Sequence, residues 1–273
     1  MTPTTSEVWG LPLAPLTRAG AVDRVEGLIR AGRPSFFITA NLHYAMLTAR
    51  VAGLDAVNRR AAFILADGAP LVVASRRTAG PVPERVAGSD LIYDLAERAA
   101  ERGFGVFLLG GPPGVADEAA RRLEARYPGL RIVGTACPTA AELVEPGVDT
   151  LIDRIRSARP DLLFVALGQP KGEFWIARHL DALGVPVVAQ VGATLDFVAG
   201  RVRRAPRAVQ RVGMEWAFRI YTDPLRLAPR YWQNARFLAA QLLRERRRRR
   251  GSAAGPAPAA ADPARGDGLR AAP

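Results

Sequence analysis

Residues 103–123 read GFGVFLLGGPPGVADEAARRL, which is a short apolar run, then a glycine-rich loop, then an amphipathic helical pattern. The apolar run has the length of a strand buried on both faces, and the Ala, Glu, Arg and Leu residues after the loop favour a helix. Similar units recur on both sides of this segment. The alternation predicts an α/β fold with a mostly parallel, Rossmann-like sheet and helices on both faces.

Six strands and six helices are predicted in the alternating part of the chain. The predicted strands are Ser35–Thr39, Ala62–Ala66, Gly105–Leu109, Arg131–Gly134, Leu162–Ala166 and Val185–Val191. The predicted helices are Leu42–Val51, Pro70–Ser75, Ser89–Arg102, Val115–Arg126, Thr150–Ser157 and Glu173–Leu183. Because such sheets bind ligands beyond the carboxyl ends of their strands, the residues that follow each strand are the candidates for a site.

The C-terminal part differs from the rest in pattern and in charge. From about Pro206 the periodicity is helical only, which predicts helices near Arg207–Tyr221 and Leu225–Arg246. Residues 201–250 contain fifteen arginines and three acidic residues, so this segment alone accounts for the net charge of +12. We therefore expect an α/β core over residues 1–205, an arginine-rich helical appendage over 206–246, and a disordered Ala- and Pro-rich tail over 247–273.

The basic appendage predicts an anionic partner, either a lipid surface or a nucleic acid. Trp and Tyr residues alternate with its arginines, which suits a membrane interface. The N-terminus lacks the pattern of a signal peptide, and no run approaches the roughly 18 apolar residues of a spanning helix. The sequence thus predicts a cytoplasmic protein that is peripheral on the inner face of the cell membrane.

Several kinds of site are disfavoured by composition. A single cysteine excludes an internal disulfide, and two histidines without an Asp-x-Asp triplet do not predict a metal site. No cofactor is expected. The missing G-x-G-x-x-G pattern disfavours a nucleotide-binding oxidoreductase, and no recognised module accompanies the basic run to favour a nucleic-acid-binding protein. Both remain the alternative functions, and a homo-oligomer is compatible with the sequence.

Asp67 is the candidate catalytic residue. It follows an apolar strand in AAFILADGAPL, so its carboxylate is expected at the mouth of the sheet, where it could act as a general base. The alternative is a turn residue or the N-cap of the helix after Pro70. Arg85 precedes a helix for which Ser89 is the expected cap, and it could reach a pyrophosphate or stay solvated.

Two glycine-containing loops follow other predicted strands. Gly110 and Gly111 lie between a strand and a helix N-terminus, where backbone N–H groups and the helix dipole can bind phosphate. Gln169 could bond a uracil edge or a sugar hydroxyl, and Lys171, the only lysine of the chain, could place its charge near phosphate. Plain strand–helix turns are the alternative for both loops.

The chain resembles the WecG/TagA/CpsF glycosyltransferases, glycosyltransferase family 26, over about Ser35 to Phe237. The resemblance is carried, in order, by ITAN (38–41), LADGAPLV (65–72), RVAGSDL (85–91), GFGVFLLGG (103–111), PDLLFVALGQPKGEFWIARH (160–179), VGATLDFVAGRVRRAPRAVQRVGMEWAFRI (191–220) and DPLRL (223–227). The chain departs from the family at Gly172, where Gln is usual, at His43, where an acidic residue is often found, and in ACPTAAELVEPG.

The resemblance implies an inverting, metal-independent transferase for cell-surface polysaccharide or teichoic acid synthesis. Its expected donor is a UDP-sugar carrying N-acetylmannosamine or a related hexose or uronic acid, and its acceptor is linked to undecaprenyl diphosphate. Asp67 matches the family's proposed catalytic base. The residues that match its substrate-binding positions are Thr39, Asn41, Arg85 and Gln169 in the core, with Arg219, Arg226 and Arg230 in the appendage that closes the active site.

Overall fold

The computed structural model describes residues 5–202, 205–206 and 215–253. The chain divides into two units, Met1–Asn234 and Ala235–Pro273. The first unit contains the sheet and the predicted site. The second is described as the continuation of the last helix, and residues 254–273 of the predicted tail lie outside the described part.

The described residues of the first unit form one eight-stranded sheet. Its strands are β1 (Ser6–Val8), β2 (Leu11–Leu13), β3 (Ser35–Ala40), β4 (Phe63–Ala66), β5 (Gly105–Gly110), β6 (Arg131–Ala136), β7 (Leu162–Ala166) and β8 (Val187–Gln190). They are arranged in the order β1-β2-β4-β3-β8-β7-β5-β6, and every neighbouring pair is parallel except β1 with β2. The six predicted strands are thus confirmed.

The described helices cover both faces of the sheet or follow it in the chain. They are α1 (Arg18–Ala31), α2 (Leu42–Thr48), α3 (Leu54–Arg60), α4 (Ala69–Ser75), α5 (Gly88–Arg102), α6 (Val115–Arg126), α7 (Gly147–Ala158), α8 (Lys171–Leu183), α9 (Thr194–Val198), α10 (Glu215–Thr222) and α11 (Pro224–Ala253), with a 3-10 turn at Ala141–Leu143. None of the described helices is long and apolar enough to cross a membrane. The predicted α/β class is confirmed.

The core has two layers because successive side chains of a strand point to opposite faces. On one face, Phe37, Val106 and Phe164 pack with apolar residues of α1, α5, α6 and α9. Helices α3, α7 and α8 pack together on the other side. The central strands β4, β5 and β8 are buried along their whole length, which explains their uninterrupted apolar sequence.

Three elements near the N-terminus were not predicted. The β1–β2 hairpin turns at Trp9 and Gly10, both at positive φ, and a tryptophan in such a turn gives no turn signal. Helix α1 contains Gly20 and Gly27, which weaken its helical pattern. Helix α3 is only seven residues long.

The prediction that Ser89 caps α5 was wrong. Helix α5 begins one residue earlier, with Ala87 at the N-cap position and no side-chain cap of its own. The N–H of Gly88 instead donates to Oδ2 of Asp67 at 3.4 Å, so a carboxylate from the end of β4 receives the first helical N–H group. Asp67 is likewise not the N-cap of α4, because that position is Gly68.

We predict that Gly110→Ala lowers the free energy of unfolding by about 2–4 kcal/mol, because it adds overpacking to backbone strain. Gly110 has φ of 114°, and a Cβ there would lie 2.6 Å from the carbonyl oxygen of Ala166. Gly27→Ala is the matched control, since Gly27 is helical with nothing within 4 Å of a Cβ, and we expect it to stabilise by about 0.5–1 kcal/mol. Thermal unfolding of both variants tests this, and an unchanged melting temperature for Gly110→Ala would contradict it.

Candidate active site

The candidate site lies along the carboxyl edge of the sheet, beyond β4, β3, β8, β7 and β5. Strands β5 and β7 are neighbours, but the chain leaves β5 toward β6 on one side and β7 toward β8 on the other. The connections therefore diverge, and a crevice opens at such a switch point. From β4 to β5 there are four strand spacings, roughly 19 Å, which gives room for an extended ligand.

The glycine loop after β5 is held close to the neighbouring strand. Gly110 approaches the backbone of Ala166 so closely that no side chain fits there, and a Cβ at Gly111 would lie 2.8 Å from Val115. Helix α6 begins directly after Gly114, so its N-terminal N–H groups lie at the crevice. Asp117 and Glu118 occupy its first turn and reduce the attraction of that helix end for an anion.

Asp67 and Arg85 form an ion pair at the end of β4. The Oδ1 atom of Asp67 lies 3.6 Å from a terminal nitrogen of Arg85, and the second terminal nitrogen of Arg85 lies 3.4 Å from Oδ2 of Asp90. About a quarter of the Asp67 side chain is exposed to solvent. The carboxylate is therefore both fixed in position and accessible, as a general base has to be.

Thr39 and Asn41 lie at the end of β3, where both side chains bond the backbone. The hydroxyl of Thr39 is buried and donates to the carbonyl oxygen of Gln190 on β8 at 3.2 Å. The Oδ1 atom of Asn41 caps α2 by accepting the N–H of Tyr44 at 3.1 Å. These two predicted binding residues thus shape the edge next to Asp67.

Gln169 connects the loop after β7 to the same edge. Its Nε2 donates to the carbonyl oxygen of Thr39 at 3.4 Å, so the chain of contacts joins β7, β3 and β8. Lys171 is the first residue of α8 and is exposed. The structure therefore brings Thr39, Asn41, Asp67, Arg85 and Gln169 together, while the loop at Gly110 and Gly111 lies farther along the edge, beyond β7.

Glu173 is a buried residue that the sequence did not single out. Its side chain is 0% exposed, and burial raises the pKa of its carboxyl to about 7, partly opposed by its own N–H and by the amides of Gln190 and Gln169. The sequence placed Glu173 in the first turn of a helix, where glutamate is usually solvated. Its apolar neighbours Phe174 and Trp175 were the available signal of burial.

A polar contact within the first unit joins α11 to α2. Nδ1 of His43 lies 3.1 Å from Oδ1 of Asn234, and burial together with the positive charge of Arg230 lowers the pKa of His43 to about 4. Arg230 is thus placed near α2, the helix that Asn41 caps. The backbones of Arg219 and Arg226 belong to α10 and α11, but their side chains lie outside the described residues.

In the described ranges, no three His, Cys, Asp or Glu side chains come together as a metal-binding group. The ionic groups described at the end of β4 are instead the carboxylates of Asp67 and Asp90 and the guanidinium of Arg85. Such a site can take a proton from a hydroxyl and offset the charge of a phosphate.

Comparison with known proteins identifies the family of the chain. The sequence profile of the glycosyl transferase WecG/TagA/CpsF family matches residues 6–252. The chain belongs to this family. Two similar proteins, from Bacillus spizizenii (strain ATCC 23059 / NRRL B-14472 / W23) and Staphylococcus aureus (strain NCTC 8325 / PS 47), are both named N-acetylglucosaminyldiphosphoundecaprenol N-acetyl-beta-D-mannosaminyltransferase.

Both relatives are 32% identical to this glycosyltransferase. The first match covers 70% of this chain and 73% of the relative, and the second covers 69% and 72%. The resemblance noted from the sequence is confirmed, and with it the reaction class of sugar transfer. The oxidoreductase and nucleic-acid-binding alternatives are set aside.

We predict that Asp67→Asn lowers the turnover number by about 10²- to 10⁴-fold, the usual contribution of a general base. Asparagine keeps an oxygen that can accept the N–H of Gly88 but cannot take a proton, so the melting temperature and donor binding should change little. Turnover and thermal unfolding are measured on the same preparation.

Asp90→Asn is the matched control, because it removes the other carboxylate bound to Arg85 without touching Asp67. We expect it to keep most of the activity. Turnover close to the wild-type value for Asp67→Asn would show that Asp67 is not the base.

Proposed function

We propose that this glycosyltransferase moves N-acetylmannosamine, or a related hexose or uronic acid, from a UDP-sugar to N-acetylglucosamine on undecaprenyl diphosphate. The observation that carries the proposal is the partly exposed carboxylate of Asp67, held by Arg85 and Gly88 at the edge formed by Thr39 and Gln169. The names of the two relatives support the choice of sugar and acceptor. The product would serve cell-surface polysaccharide or teichoic acid synthesis.

The reaction would proceed in one step with inversion at the sugar. Asp67 takes the proton from the acceptor hydroxyl as its oxygen forms the bond to the anomeric carbon. The bond from that carbon to the diphosphate oxygen breaks at the same time, and UDP leaves with the electron pair. Gly88 contacts Oδ2 of Asp67 and Arg85 contacts Oδ1, so both oxygens are held in place while about a quarter of the side chain stays exposed.

The developing charge on the diphosphate has to be stabilised where it appears. The N–H groups of the loop at Gly110 and Gly111 and the guanidinium of Arg85 are suited to this. Arg230, with Arg219 and Arg226, would add positive charge from the appendage. Gln169 would bind the uracil edge or a sugar hydroxyl, and Lys171 would place its charge near phosphate.

The appendage would also hold the enzyme on the inner face of the cell membrane, where lipid-linked acceptors are located. Four large apolar side chains of α10 and α11 in the first unit are exposed: Trp216, Tyr221, Leu225 and Trp232. Further along α11, Arg244, Arg246 and Arg247 are exposed too. Aromatic and aliphatic side chains together with arginines are the composition of helices that bind anionic membranes.

The experiment that tests the proposed reaction measures UDP release from a panel of UDP-sugars with an undecaprenyl-type diphosphate-N-acetylglucosamine analogue. We expect the highest rate with UDP-N-acetylmannosamine and no loss of rate with EDTA, since arginines replace a metal in the proposed mechanism. The rate of UDP release by Asp67→Asn gives the background rate. No UDP release from any sugar contradicts the proposal, and a loss on chelation that Mn²⁺ restores contradicts its metal-independent part.

Membrane binding is tested by co-sedimentation of the full-length enzyme with vesicles containing anionic lipid. Leu225 and Trp232 are 92% and 67% exposed, and replacing both by Ser should weaken pelleting because apolar area that could enter the interface is removed. Raising the salt concentration should weaken it further.

Val144→Ser is the control, because Val144 is exposed outside the appendage and its loss should leave pelleting unchanged. Equal pelleting of the wild type and the Leu225/Trp232 double variant would contradict this mode of binding.

A further inference from the structure

A carboxyl group lies buried beneath the candidate site without a hydrogen-bond partner. Both carboxylate oxygens of Glu173 are buried without a hydrogen-bond partner, and so is the amide nitrogen Nε2 of Gln190. Few buried side-chain atoms in the described part of the chain lack a partner in this way. Glu173 and Gln190 are 0% and 1% exposed. Burying an unpaired carboxylate is costly, so an acceptor and a donor that are buried side by side are expected to serve each other.

The contacts of Gln190 place its amide nitrogen next to the first turn of α8. Its Oε1 accepts the N–H of Gly192 at 2.6 Å, which turns Nε2 the opposite way. There, a Cβ on Gly172 would lie only 2.5 Å from Nε2, so the missing side chain of Gly172 makes room for this amide. Glu173 is the next residue in that turn, and the amides of Gln190 and Gln169 both act on its carboxyl group.

The same amides lead directly to the candidate site. The main-chain oxygen of Gln190 accepts the hydroxyl of Thr39, and the amide of Gln169 donates to the main-chain oxygen of Thr39. Glu173 therefore lies at the base of a layer of side chains that joins the ends of β3, β7 and β8. An ionised carboxylate only accepts hydrogen bonds, which suits a group that faces two amide donors.

We propose that Glu173 is a positioning residue for the donor site, whose carboxylate accepts the N–H groups of the Gln190 and Gln169 amides. With its nitrogen turned inward, Gln169 presents Oε1 to the site as a fixed acceptor, suited to an N–H of a uracil ring or to a hydroxyl of the sugar. Gln190, held the same way, fixes the turn at Gly192. The inference rests on the proposed function and adds the residue that orients its nucleotide contact.

The ionisable side chains on the elements around this carboxyl are few in the described structure. Burial, and after it the negative charge of Glu173, raises the pKa of Tyr44 on α2. The buried hydroxyl of Tyr44 donates to Oδ1 of Asn58 at 2.7 Å. Arg60 of α3 is bound to the main-chain oxygen of Ala177, farther along α8, and Lys171 on α8 itself is exposed. His43 of α2 has a pKa near 4, so it does not titrate near neutrality.

The test uses the full-length enzyme with Glu173→Gln, which keeps the size of the side chain but replaces one of its two acceptor oxygens by an amide NH2 donor. We expect the KM for the UDP-sugar to rise roughly tenfold or more, as for lost hydrogen bonds to a charged group, with kcat changed only a few-fold. The KM of the wild type should also rise as the pH falls below about 7, since the carboxyl then becomes protonated. This dependence should disappear in Glu173→Gln.

Stability separates this role from a purely structural one. A carboxyl whose pKa is raised on folding favours the folded state most at low pH, and that contribution is lost as the pH rises from about 4.5 through about 7. At pH 8 the variant should thus melt at the wild-type temperature or higher while its KM is raised. Glu26→Gln is the control: Glu26 is ion-paired with Arg30, Arg98 and Arg102 on α1 and α5, so its loss should lower the melting temperature without changing KM.

Gly172→Ala gives a second, independent disturbance, because its Cβ would displace the Gln190 amide while leaving the carboxyl in place. We expect a raised donor KM here as well. A wild-type KM and pH profile in Glu173→Gln, or a lowered melting temperature with unchanged KM in both variants, overturns the positioning role while the proposed function stands. No turnover by the wild type with any UDP-sugar overturns the proposed function and this inference together.

Discussion

The parallel pairing of β3 with β8 and of β8 with β7 is the constraint on which the candidate site depends, because it brings three strand ends to one buried edge. Polar groups there have little access to water and have to pair with one another. Thr39 donates to Gln190, and Gln169 donates to Thr39. Asp67 and Arg85 beside them pair with each other and stay partly exposed.

The proposed base is held by the same contacts that start a helix. Asp67 receives the first N–H of α5, and Arg85, which precedes that helix, pairs with both Asp67 and Asp90. A Cβ on Gly88 would lie 3.0 Å from the Thr39 hydroxyl, so glycine lets the helix start approach β3. Moving the carboxylate of Asp67 would therefore disturb the start of α5. Because the fold holds the carboxylate in this way, the proposed base is in position before a substrate binds.

The sequence predicted the central strands and the neighbourhood of the site because buried parallel strands leave long apolar runs followed by polar residues. The sequence did not predict which residues these side chains contact within the fold. The role of Asp67 at α5 depends on a contact 21 positions away along the chain, and the burial of Glu173 depends on tertiary packing around α8. The first leaves no local pattern, and the second leaves only the apolar neighbours Phe174 and Trp175. The three-residue strands of the first hairpin are too short to show a pattern. The domain boundaries assigned to the appendage and the roles of its arginines stay predictions.

Arg230 and Asn234 of α11 both act on His43 of α2, the helix that Asn41 caps. His43 has a pKa near 4, so its contact with Asn234 is between neutral groups at physiological pH. An acidic residue at position 43 would offset the charge of Arg230, whereas a neutral imidazole does not. In the proposed reaction this matters, because a guanidinium can bind two phosphate oxygens at once and the leaving diphosphate gains negative charge. The neutral contact thus joins α11 to the site helix without offsetting the positive charge of Arg230.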